Sequence, residues 1–311
     1  MKKFSIKIFI IISFCIFFPT AFTIFINGRE KAPAINSQDS GKTIIIEDNF
    51  TKLKMDVEEF IPCVLVNQIS IDSSSEAIKA QAVVLRSYIL KFMGDKDSIN
   101  AKDLNLPYIT FEELKKIVDK DFPEYYQKLH KLVSETFGEV IKYDDKIIMP
   151  YFHGISAGKT RNAAEVFAEG EYPYLVSKES PEDLSSADYL TITYLSREEF
   201  SQKLKDFNRE IIISDDNPLE TIQIVSRCSA GYISCVQIGS LTFTGDEIQK
   251  CFGLCSPYFE FEEYENEIRI ICKGNGHGLG LSIYGAIKMA EKGSSYKDII
   301  NYYYTDITIE K

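Results

Sequence analysis

A small, polar loop at residues 154–160 carries side chains whose types and spacing could do chemistry. Ser156, Lys159 and Thr160 place hydroxyl groups and one cation among open backbone amides. Such a combination suits a polar or anionic ligand, because backbone N–H groups and a cation both attract negative charge. An ordinary turn is the alternative interpretation of the same residues.

A second glycine-rich loop, at residues 274–280, follows a predicted strand and precedes a predicted helix, as in dinucleotide-binding folds. The G-x-G-x-x-G spacing would require a glycine at Leu279, Leu281 or Ile283, so that interpretation fails. These glycines instead indicate that the backbone passes close to another element, with His277 held at the tip. A purely structural histidine remains the alternative.

The first loop also fits the G-x-S-x-G pattern of serine hydrolases, with Ser156 at its centre. A nucleophile elbow needs a helix directly after the serine, and residues 159–167 show no clear helical pattern. Asp183 and His277 follow in the order of a catalytic triad, but any chain of this length offers such a pair. The sequence therefore disfavours a hydrolase.

The net charge of −11 argues against a nucleic-acid partner, because phosphate binding requires clustered lysine and arginine. Cysteine spacing gives little support for zinc, since no C-x-x-C pair is present. An even number of cysteines outside the N-terminal apolar run permits disulfides, but buried thiols are the simpler expectation. These six are Cys63, Cys228, Cys235, Cys251, Cys255 and Cys272.

The N-terminus combines three lysines with an almost unbroken apolar run at residues 8–26. The run is long enough to span a bilayer, which takes roughly 20 residues in a helix. We therefore predict a membrane anchor at residues 1–26, with the N-terminus in the cytoplasm and the remainder outside. A cleaved signal peptide is the alternative. Residues 27–42 are predicted to be a linker.

Residues 43–311 predict a mixed α+β domain with a strand-rich subdomain at about residues 190–270. A long helix is predicted from helically spaced apolar residues and from Ser73 and Glu76, which have capping-box spacing. Ser196 and Glu199 predict a second capping box. The turn before the long helix contains Gln68, at a place where an enzyme could hold a reactive group.

Three stretches in sequence order resemble the stage II sporulation protein D family (SpoIID/LytB domain). They are EAIKAQAVVLRSYIL, YFHGISAGKTRNAAEVF with PYLVSKESPED, and GHGLGLSIYGAIKMAEKGSSYKDIINYYY. The likeness covers roughly residues 57–311. An N-terminal anchor followed by an extracytoplasmic domain is also similar to sporulation members of the family.

The resemblance implies a lytic transglycosylase that cleaves peptidoglycan glycan strands stripped of stem peptides and leaves a 1,6-anhydro sugar. The expected setting is engulfment during sporulation, at the cell membrane. The expected partners are denuded glycan strands, the cell-wall amidase stage II sporulation protein P, and the membrane protein stage II sporulation protein M. No cofactor is expected. Some members bind zinc after the long helix, but residues 94–108 lack cysteine and histidine, so no metal is predicted there.

By family spacing, the single glutamate that serves as acid and base falls on Gln68. Glutamine keeps the shape of glutamate but has no proton to exchange near neutral pH. Two functions therefore stay open: an active enzyme in which Asp72 or Glu59 substitutes, or an inactive relative that binds glycan and stimulates an amidase.

The remaining family positions are expected to line the glycan cleft. Arg86 and Lys159 carry the charge to meet the lactyl carboxylate of N-acetylmuramic acid, with an ion pair inside the fold as the alternative for Arg86. The predicted substrate-binding residues are Arg86, Ser156, Lys159, Thr160, Tyr174, Asp183, His277 and Tyr284.

Overall fold

The computed structural model describes residues 39–47, 52–167 and 170–311, apart from the side chain of Asp119. The predicted anchor and most of the predicted linker lie outside this range, so both stay predictions. Within it, none of the helices combines the length and the apolar character needed to cross a membrane.

The described residues form a mixed α+β fold, as predicted, with eight helices and fourteen short strands in five small sheets. The helices are α1 (Val57–Leu65), α2 (Ser75–Met93), α3 (Phe111–Val118), α4 (Phe122–Glu135), α5 (Arg197–Phe207), α6 (Gly245–Phe252), α7 (Ile283–Glu291) and α8 (Tyr296–Tyr303). The strands are β1 (Thr43–Glu47), β2 (Lys52–Asp56), β3 (Ser98–Asn100), β4 (Val140–Tyr143), β5 (Lys146–Ile147), β6 (Phe152–His153), β7 (Leu190–Ser196), β8 (Ile222–Arg227), β9 (Ile233–Ile238), β10 (Leu241–Phe243), β11 (Phe259–Tyr264), β12 (Glu267–Lys273), β13 (Leu281–Ser282) and β14 (Thr308–Glu310).

Helix α2 lies at the centre of the larger core, where it packs against α1, α4, α7 and α8. Its alanines at 77, 80 and 82 are fully buried, and small side chains let neighbouring helices approach closely. Ile78, Leu85 and Ile89 are also fully buried, as their helical spacing predicted. The predicted site residues must therefore be reached from the ends and edges of this helix.

The start of α2 differs from the prediction. Ser74, rather than Ser73, is the N-cap residue, and it makes no side-chain capping bond. Glu76 instead accepts a 2.8 Å hydrogen bond from the backbone N–H of Tyr296 and pairs with Lys79. The capping-box prediction is wrong because Glu76 is used to hold α8 against α2. The second predicted box, at Ser196 and Glu199, is confirmed.

A smaller core lies among the strands of residues 190–273, in the region predicted to be strand-rich. Two three-stranded antiparallel sheets, in the orders β10-β9-β8 and β11-β12-β7, pack with α5 and α6. Phe200 stacks on Phe252 with ring centroids 4.7 Å apart, and both belong to this core. Strand β12 ends at Lys273 and leads directly into the loop at residues 274–280.

Candidate functional site

Gln68 lies in the turn between α1 and α2 and is half-buried. Its Oε1 accepts a 2.8 Å hydrogen bond from Nε2 of Gln81, a side chain on α2 with only 1% of its surface exposed. The other amide atom of Gln81, Oε1, is buried without a partner among the described residues. The residue at the predicted acid position is therefore held by one buried amide.

The face of α2 that carries Gln81 also carries Tyr88, because seven residues make two helical turns. The Tyr88 ring meets Phe152 edge-on with centroids 6.1 Å apart, and its hydroxyl donates to the carbonyl of Leu104 at 3.1 Å. Phe152 lies in β6, directly before His153. This face of α2 is therefore directed toward β6.

The loop at residues 274–280 runs against the chain around β6, as its glycines predicted. Ile155 and Asn275 exchange backbone hydrogen bonds of 3.0 and 2.7 Å. A Cβ atom added to Gly280 would lie 1.9 Å from the carbonyl oxygen of Tyr151, and Gly280 has a φ of +68°. Only glycine permits this approach without moving the backbone.

Two neutral histidines meet where this loop crosses β6, with ring centroids 5.8 Å apart. Nδ1 of His153 lies 3.0 Å from the carbonyl oxygen of Leu279, so Nδ1 carries the proton, and the buried Nε2 has no partner among the described residues. His277 has the opposite arrangement, since its Nδ1 accepts the backbone N–H of Leu279 at 3.0 Å. Burial lowers the pKa of His153 to about 3 and, with help from Arg161, that of His277 to about 4.

The carboxyl group of Asp183 joins the loop at residues 154–160 to the start of α7. Its Oδ2 accepts the backbone N–H of Ser156 at 2.8 Å, and its Oδ1 accepts the hydroxyl of Ser282 at 2.9 Å. Asp183, Ser156 and Ser282 are all fully buried. Burial raises the pKa of Asp183, although its hydrogen bonds oppose the shift.

These contacts also test whether the G-x-S-x-G pattern at residues 154–158 belongs to a serine-hydrolase triad. Asp183 bonds the serine rather than the histidine, while the ring of His277 packs edge-on against Tyr151 at 5.6 Å. The Oγ of Ser156 accepts the N–H of Gly158 inside the loop, at 3.2 Å. Ser156, Asp183 and His277 therefore do not form a triad.

Among the other predicted residues of this region, Lys159 and Tyr284 keep exposed surface. Lys159 forms a 2.9 Å ion pair with Glu179, and the Tyr284 hydroxyl lies 3.3 Å from Oγ of Ser185. Thr160 is buried and accepts the N–H of Lys178 at 2.8 Å.

Tyr174 belongs to the larger core and is 6% exposed. Its hydroxyl accepts the backbone N–H of Met149 at 3.0 Å, and burial raises its pKa to about 12. Tyr174 therefore supports the loops from within and does not present its ring to a ligand.

Arg86 is also buried, with 1% of its surface exposed. Its guanidinium forms a bidentate ion pair with Glu58, with distances of 2.6 Å from Nε and 2.7 Å from the terminal nitrogen. It also donates to the carbonyls of Val133 and Glu139. The geometry thus corresponds to the ion pair inside the fold, rather than to contact with a lactyl carboxylate.

The two carboxylates considered as substitutes for the missing glutamate lie toward α4. Asp72 is exposed on the turn that carries Gln68, and its charge adds to burial in raising the pKa of Tyr125. The charge of Glu59 adds to burial in raising the pKa of Tyr126 and of the Cys63 thiol.

The six cysteines of the described residues are free thiols. Cys63 and Cys272 are buried, as expected, and the other four are half-buried. Burial raises the pKa of both buried thiols, which disfavours the reactive thiolate.

Sequence reasoning missed three residues that shape the site: Gln81, His153 and Arg161. Arg161 is 3% exposed, pairs with Asp246 at 3.0 and 3.1 Å, and donates to the carbonyl of His277 at 3.2 Å. All three residues lie inside the stretches that resemble the family, so those stretches contained the signal. The pairing of Arg161 with Asp246 could not have been predicted, because the two residues lie 85 positions apart.

Comparison with known proteins supports the family assignment. Residues 49–143 match the family model described as stage II sporulation protein. The chain is 29% identical to stage II sporulation protein D of Bacillus amyloliquefaciens, over 90% of this chain and 81% of that protein. It is 26% identical to stage II sporulation protein D of Bacillus subtilis, over 100% of this chain and 96% of that protein.

A more distant relative is the amidase enhancer of Bacillus subtilis, 23% identical over 79% of this chain and 39% of that protein. The three similarities extend beyond the matched domain, over most of the chain. The chain is therefore similar to stage II sporulation protein D over most of its length, and residues 49–143 match the family model.

Proposed function

We propose that this protein binds denuded glycan strands of peptidoglycan and does not cleave them. The observation that carries the proposal is the amide at position 68, which stands where the family has its acid and is fixed by Gln81 at 2.8 Å. Further polar groups at the surface of the same domain come from Lys159, from Tyr284 and from the loop at residues 274–280, in which His277 is half-buried.

The chemistry of the amide explains binding without turnover. Gln68 has nearly the shape of a protonated glutamic acid and donates N–H where the acid would donate O–H. It cannot transfer a proton to the leaving oxygen of a glycosidic bond. General acid–base assistance typically contributes about 10²–10⁴-fold to the rate of such a reaction.

The setting of this function is sporulation, and two relatives named stage II sporulation protein D support it. The relative named amidase enhancer supports a role beside a cell-wall amidase. In this proposal, residues 1–26 anchor the chain in the cell membrane, the domain lies outside the cytoplasm, and a second membrane protein is the remaining partner.

Lytic transglycosylase activity with Asp72 as the acid is the second candidate. It is favoured by one observation, that Asp72 is exposed on the turn that holds Gln68. Asp72 lies four residues from position 68. Its carboxylate would therefore have to act from a different place than the side chain that the buried Gln81 positions.

The test uses the full chain and purified glycan strands, either denuded or still carrying stem peptides. We expect the protein to co-sediment with denuded strands and to release no 1,6-anhydro product. Failure to co-sediment with either strand would exclude glycan binding. Product release that is lost in Asp72→Asn would establish the second candidate, and release that survives both Asp72→Asn and Glu59→Gln would exclude both carboxylates as the acid.

A further inference from the structure

Gln81 and Gln68 form an amide pair in which the two partners have very different surroundings. Gln81 is 1% exposed and lies on the central helix α2, whereas Gln68 is half-buried in the preceding turn. Among the described residues, Gln81 is the one that hydrogen-bonds the Gln68 side chain. The buried partner therefore sets the orientation of the accessible one.

The direction of the bond determines what Gln68 offers to a ligand. Nε2 of Gln81 donates to Oε1 of Gln68, so the oxygen of Gln68 is turned inward. The Nε2–H₂ group of Gln68 is then the part left for a ligand. An amide nitrogen only donates, so its partner on the ligand must be an acceptor, such as a glycosidic or carbonyl oxygen.

The same hydrogen bond from Gln81 would also orient a carboxyl group at position 68. An N–H from Gln81 requires an acceptor, so the oxygen that faces Gln81 cannot hold the proton. The proton of a carboxylic acid would then be held on the opposite oxygen, toward the ligand.

We infer that Gln81 is the positioning residue of the site: it directs the donor group of the side chain at position 68 toward an acceptor oxygen of the glycan. This inference rests on the proposed glycan-binding function for the identity of the ligand. The orientation itself is a property of the free protein and is measured without glycan.

The unpartnered Oε1 of Gln81 is consistent with this role. A purely structural buried amide is normally satisfied at both of its polar atoms, because an unpaired buried acceptor destabilises the fold. Within the described part of the chain, Gln81 satisfies only the donor that reaches Gln68. The Gln81 side chain is thus placed to donate to residue 68, although its own Oε1 is left without a donor among the described residues.

The experiment compares the full-length Gln68→Glu variant with the double variant Gln68→Glu/Gln81→Met, both without glycan. Methionine has nearly the volume of glutamine and no N–H donor. The pKa of the introduced carboxyl is followed by carbon NMR of labelled glutamate side chains, and its signal is identified by its absence from the wild type. A donor stabilises the ionised form, so we expect the pKa to rise by about one unit when Gln81 is replaced.

Equal pKa values in the two variants would overturn the inference. If the double variant does not fold, side-chain amide exchange in the wild type decides the question. The Nε2 protons of Gln81 should exchange much more slowly than those of Gln68, and equal rates would also overturn the inference.

Failure of the glycan-binding proposal would be seen separately, as loss of co-sedimentation with a normal pKa difference. A third measurement connects glycan binding with the positioning role of Gln81. Gln81→Met in the wild-type background should weaken co-sedimentation with denuded strands several-fold. The midpoint of thermal unfolding, measured without glycan, should change by no more than a few degrees. Unchanged co-sedimentation would show that the orientation of Gln68 does not serve the glycan.

Discussion

The guanidinium of Arg86 and the carboxylate of Glu58 lie in a bidentate ion pair that crosses from α2 to α1, with both side chains at most 6% exposed. Breaking such a pair leaves a buried charge without compensation, which typically costs about 3–5 kcal/mol. We expect Arg86→Met to lower the free energy of unfolding by that amount, as measured by urea titration.

The control for Arg86→Met is the double variant Glu58→Leu/Arg86→Met, which removes both charges. It should recover most of the lost stability, because replacing a whole buried pair by apolar side chains is often neutral. Equal losses in the single and double variants would contradict the role assigned to this pair.

Gly280 and Gly253 provide a matched pair of glycines, since both have a φ of +68°. Alanine at either position must adopt the left-handed conformation, at a cost of roughly 1–2 kcal/mol. At Gly280 it would also meet the carbonyl of Tyr151, whereas at Gly253 no atom of the described residues lies within 4 Å of the added Cβ. Gly280→Ala should therefore be the more destabilising, by a further ~1–3 kcal/mol in urea unfolding. Equal costs would show that the loop at residues 274–280 does not pack as described.

The buried histidines predict that the protein loses stability in mild acid. An unfolded histidine titrates near pH 6.5, whereas the pKa of folded His153 is about 3. Between these values the unfolded chain binds more protons, so this contribution is complete above about pH 6.5 and is lost as the pH falls toward 3.

The variant His153→Asn tests this pH dependence, because asparagine can still donate to the carbonyl of Leu279. The slope of unfolding free energy against pH between 4 and 6 should decrease by about 1.4 kcal/mol per unit relative to the wild type. His277 and the other titrating groups are present in both proteins. Identical slopes would mean that His153 is not buried in the neutral form.

Lys159 and Glu179 form an exposed ion pair at the predicted ligand loop. Exposed pairs contribute about 0–1 kcal/mol, so neither Lys159→Gln nor Glu179→Gln should change stability by more than that. If Lys159 meets the carboxylate of the glycan, the two variants should act in opposite directions on retention: weaker for Lys159→Gln and stronger for Glu179→Gln, more so at low salt. Parallel changes in co-sedimentation would exclude this contact.

Much of the fold could be predicted from local sequence patterns. The capping box at Ser196 and Glu199 is present as predicted. Asp144 and Asp145, residue types typical of hairpin turns, join β4 to β5 with φ values of 47° and 59°. These features depend on periodicity, capping and turn chemistry, which involve residues close in the chain.

The site was less predictable, because its contacts join distant positions. Ser156 and Asp183 were both predicted as ligand residues, but they are bonded to each other across 27 positions and fully buried. Arg86 likewise meets a partner 28 positions away. Motif matching identifies residues that a family retains, but it does not separate those that touch a ligand from those that hold the loops in place.

The substitution Gln68→Glu tests the central claim most directly. It places a carboxyl group at the predicted acid position, which Gln81 already orients, and the matched control Gln223→Glu makes the same change at an exposed site on β8. Full-length wild type and both variants are incubated with denuded glycan strands, and 1,6-anhydro products are counted by mass spectrometry. We predict product only from Gln68→Glu, at a rate at least about 10²-fold above the wild-type background. Cleavage by the wild type at a rate equal to that of Gln68→Glu would contradict the account.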